Sequence, residues 1–155
     1  MPEHRGNHPY TTVPGVLALT AWSLYVLCAL LYFLPDIPPT ELVNGCFGIA
    51  ACLAMAFNFR YWRATVLAAS SLYLVLYAIR VFRMTAMAGD LPFTSALSFY
   101  YAMSWQVSMG AFQEKGMAGG LAQAFLAYAM PVLMVALIAA ILISWRSRRG
   151  AAQAF

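Results

Sequence analysis

Polar and apolar positions do not alternate along this chain; they separate into long blocks. The first apolar block runs from Val13 to Leu34 and stops at Pro35-Asp36-Ile37-Pro38-Pro39. Consecutive prolines remove backbone donors and fix φ, so a turn is required there. A second block covers residues 42–59, between Glu41 and Arg60, and the short basic turn Tyr61-Trp62-Arg63 follows it. A third covers 64–82 and contains Arg80 near its end. The last, assigned to 120–144, lies in the charge-free stretch from Gly116 to Trp145 and ends at Arg146-Ser147-Arg148-Arg149. A bilayer core about 30 Å thick needs about 20 apolar residues rising about 1.5 Å each. Each block therefore predicts a transmembrane helix. The expected fold class is an all-α integral membrane protein, a single membrane domain over residues 1–155 built as a four-transmembrane-helix bundle.

A fifth uncharged stretch, Leu91 to Gln113, reads differently. Thr94, Ser95, Ser98, Ser104, Gln106 and Ser108 are mixed with Phe93, Phe99, Tyr100, Tyr101 and Trp105. Rings with hydroxyls suit the headgroup boundary, where one side is dry and the other wet. With Asp90 as a cap and Pro92 in the first turn, residues 92–110 predict a helix in the second outer loop. It is expected to lie on the membrane surface or dip partly into it.

Composition and charge sharpen this picture. The 155 residues are 63% hydrophobic and 9% charged, with a mean hydropathy of +0.73. Soluble domains carry about 45–50% apolar and about 25% charged residues, so a soluble enzyme, a nucleic-acid-binding domain and a disordered chain are excluded. The net charge of +4 is read by membrane side. Four spans with an inner N-terminus place Arg5, Arg60, Arg63, Arg146, Arg148 and Arg149 inside, and Arg80, Arg83 and Lys115 outside. That is the positive-inside bias, and a fifth span would reverse it for the C-terminal arginines. The expected location is a bacterial-type inner membrane with both termini cytoplasmic. The first block exceeds the 7–15 residues of a signal core and no small-residue cleavage pattern follows it, so no removable signal is expected.

Candidate chemistry is sparse. His4 and His8 lie in the N-terminal tail and none lies in a span, which excludes haem held by paired intramembrane histidines. H-E-x-x-H is absent, and no metal or other cofactor is expected. Cys28, Cys46 and Cys52 form no C-x-x-C pair and read as small packing residues. Four spans, inner termini and a laid-down helix in the second outer loop resemble the quinone-coupled disulfide-generating membrane oxidoreductases. Their chemistry needs cysteine pairs at the outer surface, and this outer segment has none. Size and topology are also similar to the four-span small subunits of tripartite solute transporters, without a shared motif. No Asp or Glu lies near the membrane centre, where proton relays and ion-coupled carriers place one.

One constellation stands out. Ser70, Tyr73, Tyr77, Arg80 and Met84 follow spacings of three and four, so they share one helical face. Glu41 and Asn44 form an i, i+3 pair at the outer end of the second span. A short inner hairpin joins these two spans, so a Glu41–Arg80 ion pair with Asn44 and Tyr77 around it is expected, with Tyr73 below and the Trp105 helix above. Its plain reading is a pin for the bundle; its functional reading is a grip on the polar head of a lipid, quinone or partner. Met84, Met87, Met103, Met109 and Met117 cluster in or beside the outer segment. Thioethers suit Cu(I), but methionine is also an adaptable filler of protein contacts, the preferred reading here. Gly45-x-x-Gly48, Gly48-x-x-x-Cys52, Ala50-x-x-x-Ala54 and Gly116-x-x-x-Gly120-x-x-x-Ala124 offer small-residue packing faces. Pro131 predicts a kink in the last span.

The expected role is a non-catalytic small membrane subunit or accessory protein that stabilises or docks onto a larger membrane complex. The alternatives are a lipid- or quinone-binding membrane protein, possibly an enzyme subunit, using Glu41, Asn44, Tyr73, Tyr77, Arg80 and Trp105, and a small oligomeric channel or carrier. Expected partners are membrane lipids and either a membrane protein or further copies of this chain, not nucleic acid.

Overall fold

The computed structural model describes residues 9–86, 89 and 92–153, with only the backbone at Phe93 and residues 147–153. His4, His8, Arg5, Met87, Asp90 and Leu91 lie outside the described residues, and so does the expected Asp90 cap. All described elements are helical: a 3-10 turn Pro9–Thr11, then α1 (Val13–Phe33), α2 (Pro39–Ala56), α3 (Trp62–Ala86), α4 (Phe93–Ala124), a π-helical turn Phe125–Ala129 and α5 (Met130–Gln153). Four helical stretches are long and apolar enough to cross a membrane, the fourth lying within Thr94–Arg146.

Local chemistry sets the helix ends. Thr12 caps α1 by accepting the Gly15 N–H at 3.3 Å, and Pro14 sits in the first turn, where its missing donor costs nothing. Helix α2 starts at Pro39, three residues before the expected boundary, for the same reason, so Glu41 belongs to its first turn. It ends at Ala56 rather than at 59 because Asn58 adopts φ 49°. The Phe59 N–H then reaches the Ala54 carbonyl at 2.8 Å, and the Asn58 N–H reaches Met55 at 3.0 Å. This is a Schellman closure with asparagine in the left-handed position.

Helices α1, α2, α3 and α5 form a square in which each packs against the next, α5 closing onto α1. Alternating directions put Glu41 and Arg80 at one end and Trp62 and Trp145 at the other. The core is a column of Trp22, Tyr25, Val66, Tyr73, Met130, Met134, Leu137 and Ile141. Outward faces carry Leu27, Leu31, Leu53, Val75, Phe82, Val132 and Ile143, all exposed, a surface that suits an apolar surrounding.

The stretch after α3 departs from the expected layout. Its helix does not stop near 110 but continues through Gln113-Glu114-Lys115 to Gly116, where φ 70° and ψ −170° break it. The limb before Gly116 then folds back on the limb after it. Ser108 Oγ donates to Gln123 Oε1 at 2.7 Å, although fifteen residues of unbroken helix would separate them by about 22 Å. Gly120 lies against the Phe112 ring, and Tyr101 stacks on Tyr128 with centroids 5.5 Å apart. Lys115 anchors this hairpin by donating to the Tyr32 carbonyl at the end of α1. Gly116 and Gly120 therefore serve as hinge and close approach within one hairpin, not as a stripe facing another span.

The small-residue face of α2 also differs from the expected one. Its buried positions are Glu41, Asn44, Gly48, Ala51 and Met55, whereas Gly45 faces open space and Ala50 is exposed. Alanine and glycine are so common in this helix that several small-residue spacings occur and only one faces a partner. A Cβ added at Gly48 would run into the Trp22 ring. Gly48→Ala is therefore expected to lower stability by about 1–3 kcal/mol through overpacking, and Gly45→Ala to be neutral or to gain up to about 1 kcal/mol. Equilibrium unfolding in mixed micelles checks this; equal effects would remove the account of this face.

Candidate functional site

The Glu41 end of the bundle concentrates its polar side chains. Glu41, in the first turn of α2, is 4% exposed. Both carboxylate oxygens are engaged: Oε1 pairs with Arg80 Nη2, and Oε2 accepts from the Tyr25 hydroxyl. A buried carboxylate is tolerable only when paired and hydrogen-bonded, and helices α1 and α3 each supply one partner. Arg80 is the expected ion-pair partner. Tyr25 is the residue that sequence reasoning missed. A buried tyrosine hydroxyl needs an acceptor, but Thr20, Ser23 and Tyr32 share the span and their spacing does not single Tyr25 out.

Asn44 is buried one turn below Glu41, and its Oδ1 makes no hydrogen bond within the described chain. The same holds for the Trp22 indole N–H and the Ser70 hydroxyl. All three lie in the polar interior below the ion pair, next to the edge-to-face cluster of Trp22, Tyr25 and Tyr73, whose centroids are 5.6 to 6.3 Å apart.

Tyr73 and Tyr77 share the face of Arg80 but do not join its ion pair. Tyr73 donates to the Leu126 carbonyl at 3.4 Å and Tyr77 to the Ala127 carbonyl at 3.1 Å. The cause is Pro131. Lacking an N–H, it cannot bond the carbonyl four residues back, Ala127, at α pitch, or the one five back, Leu126, at π pitch. The chain passes through this region as a π turn, with the Met130 N–H bonded to Phe125. Buried carbonyls without a backbone donor need another partner. Two tyrosines one turn apart on α3 supply it. The expected kink is thus a π turn, and part of the expected ligand cluster is the side-chain patch that closes it.

Trp105 does not join the cluster. It is 59% exposed and faces away from the bundle. Tyr100 and Ser104 on the same limb are buried and Val107 is partly exposed at the cleft edge, because successive helical residues diverge by about 100°. These three line a cleft of about 280 Å³ together with Tyr32, Arg80, Met84 and Gln123. Arg80 also borders a second groove of about 350 Å³, formed with Thr40, Leu76, Ile79, Arg83 and Met84. Five of the six expected site residues, Glu41, Asn44, Tyr73, Tyr77 and Arg80, thus gather at this end and its interior.

The arrangement is suited to holding a polar head beside an apolar body. Glu41 is held on two sides, Oε1 against Arg80 and Oε2 accepting from Tyr25. The three cysteines are free thiols. Among the described residues no group of three or more His, Cys, Asp and Glu is placed to hold a metal ion.

Two outcomes follow from this pairing. Tyr77→Phe is expected to cost about 1 kcal/mol in the native chain and close to nothing in a Pro131→Ala background, where the Ala127 carbonyl regains a backbone donor. A double-mutant cycle measured by unfolding reads the difference, and additive effects would contradict it. Arg80→Gln is expected to cost about 3 kcal/mol because it strands the buried Glu41 carboxylate. Glu41→Gln costs less, since the half-exposed Arg80 can extend toward water; the reverse order would contradict the assignment. Compared with known proteins, the chain matches no family, no curated protein and no solved structure.

Proposed function

We propose that this protein is a non-catalytic membrane subunit that docks onto a larger membrane complex through the exposed face of the first limb of α4. The observation that carries this reading is a contrast between surfaces. Outward positions on α1, α2, α3 and α5 are mostly aliphatic or Phe, among them Leu24, Leu27, Ile49, Val75, Val135 and Ile143. Thr20, Ser23 and Ser71 are scattered exposed hydroxyls there, and among the described residues of these helices no Trp or Met is exposed. The limb instead exposes Tyr101, Trp105 and Met109 in an i, i+4, i+8 row, with Ser95, Ser98 and Gln106 beside it. Lipid chains offer hydroxyls and amides no partner, whereas Trp, Tyr and Met with adjacent polar groups are the residues enriched at protein interfaces. The limb is held rigid by the Lys115 and Ser108 contacts, and this lowers the entropic cost of docking. In this reading the limb lies at the outer boundary of a bacterial-type inner membrane, with both termini inside.

A second reading, a protein that binds a lipid or quinone, is favoured by one observation of its own. The Arg80 cleft combines aromatic and aliphatic walls with the convergent polar groups of Arg80, Tyr100, Ser104 and Gln123, which is how small-molecule sites are built.

A photo-crosslinking residue in place of Trp105, with one in place of Ile143 as control, tests the first reading in intact membranes. The expected result is one discrete protein adduct in near-stoichiometric yield from position 105 and lipid adducts alone from position 143. Lipid adducts alone from both positions would overturn it.

A further inference from the structure

We propose that the groove between the start of α2 and the last turns of α3 is a site for one anionic phosphodiester lipid. Its phosphate is held by Arg80 and Arg83, and its acyl chain lies along Leu76 and Ile79. The proposal rests on the second reading above but places the ligand in the groove beside that cleft, the two sharing Thr40, Arg80 and Met84. The groove, about 350 Å³, is lined by Thr40, Leu76, Ile79, Arg80, Arg83 and Met84.

Three features set the ligand class. First, a guanidinium presents five N–H donors in a planar fork, and the recorded partner of Arg80 is Glu41 alone, through Nη2. Donors remain for an anion in the groove. Second, charge is left over: Glu41 neutralises Arg80, while Arg83 is exposed and forms no ion pair with a described residue. Asp36 and Glu114 line a different cleft with Lys115. One net positive charge faces one phosphodiester, beside the Thr40 hydroxyl at the start of α2. Third, the rest of the wall is apolar, and Ile79 is 44% exposed on the outward side of α3. A free anion leaves this wall bare, whereas a lipid chain covers it and places its head at the arginines.

Native mass spectrometry of the full chain released from nanodiscs tests the site, using phosphatidylglycerol, phosphatidylcholine and a long-chain quinone in equal amounts. The wild type is expected to retain phosphatidylglycerol in preference to the other two. Arg83→Gln, a surface change that leaves the Glu41–Arg80 pair intact, is expected to reduce that retention roughly tenfold, the value of one charge-assisted hydrogen bond. Ile79→Trp, which fills the chain side, is expected to reduce it as well, with circular dichroism confirming that both variants are folded. Equal retention by wild type and Arg83→Gln overturns the proposal. Binding of inorganic phosphate with no retained lipid overturns the lipid assignment. A quinone retained equally by wild type and Arg83→Gln overturns this site while leaving the second reading intact. Retention of none of the three overturns both.

Discussion

Pro131 withholds one backbone donor and the π turn before it shifts the register, so two carbonyls inside an apolar bundle are met by side chains instead. Much of the polar interior is arranged around that deficit. In a soluble protein the freed carbonyls of Leu126 and Ala127 could face solvent. Here they sit inside a bundle of apolar helices, where an unsatisfied peptide oxygen costs several kcal/mol. The hydroxyls of Tyr73 and Tyr77 fill the gap. Doing so fixes the rotation and height of α3 against the last helix, and α3 in turn carries Arg80 to Glu41. The ion pair, the tyrosine patch and the π turn are consecutive parts of one fitting.

That fitting divides the polar side chains by what remains of their bonding capacity. Tyr25, Tyr73, Tyr77 and the Glu41 carboxylate are engaged within the bundle. Arg83 forms no ion pair with a described residue, and Arg80, Tyr100, Ser104 and Gln123 border the cleft, with Gln123 Oε1 accepting from Ser108. From Tyr73 the rings continue through Tyr77, Tyr100 and Tyr101 to Tyr128, each 5.5 to 6.3 Å from the next. This aromatic run ties the α4 hairpin to the core, so the exposed row of Tyr101, Trp105 and Met109 is mounted on a rigid support.

How much of this was legible in the chain depends on the range of each interaction. The four apolar helices follow from block length alone, because a bilayer imposes one dimension on every span. The Glu41–Arg80 pair was legible because its partners lie near the ends of helices joined by a tight hairpin, which leaves little freedom of register. Tyr25 was not: Thr20, Ser23 and Tyr32 share its span, and nothing in their spacing singles out the one hydroxyl that meets Glu41. The fold-back at Gly116 was hidden because Gln113, Glu114 and Lys115 are good helix formers and a single glycine can be packing residue or hinge alike. Trp105 was assigned to the cluster by its segment, and one helical step sufficed to turn it outward. Gly48 and Gly45 are indistinguishable in sequence; only the position of Trp22 separates them.

The closure of the proline gap by α3 is open to direct observation, because Ala127-Tyr128 is the only Ala-Tyr step in the chain. Isotope labelling of alanine carbonyls and tyrosine nitrogens therefore isolates the Ala127 carbonyl as a single resonance. The account predicts a carbonyl shift typical of a hydrogen-bonded oxygen in the native protein, displaced when Tyr77 is replaced by Phe. A resonance unchanged by that replacement would show that the carbonyl finds its donor elsewhere, and the interlocking of α3 with the last helix would have to be abandoned.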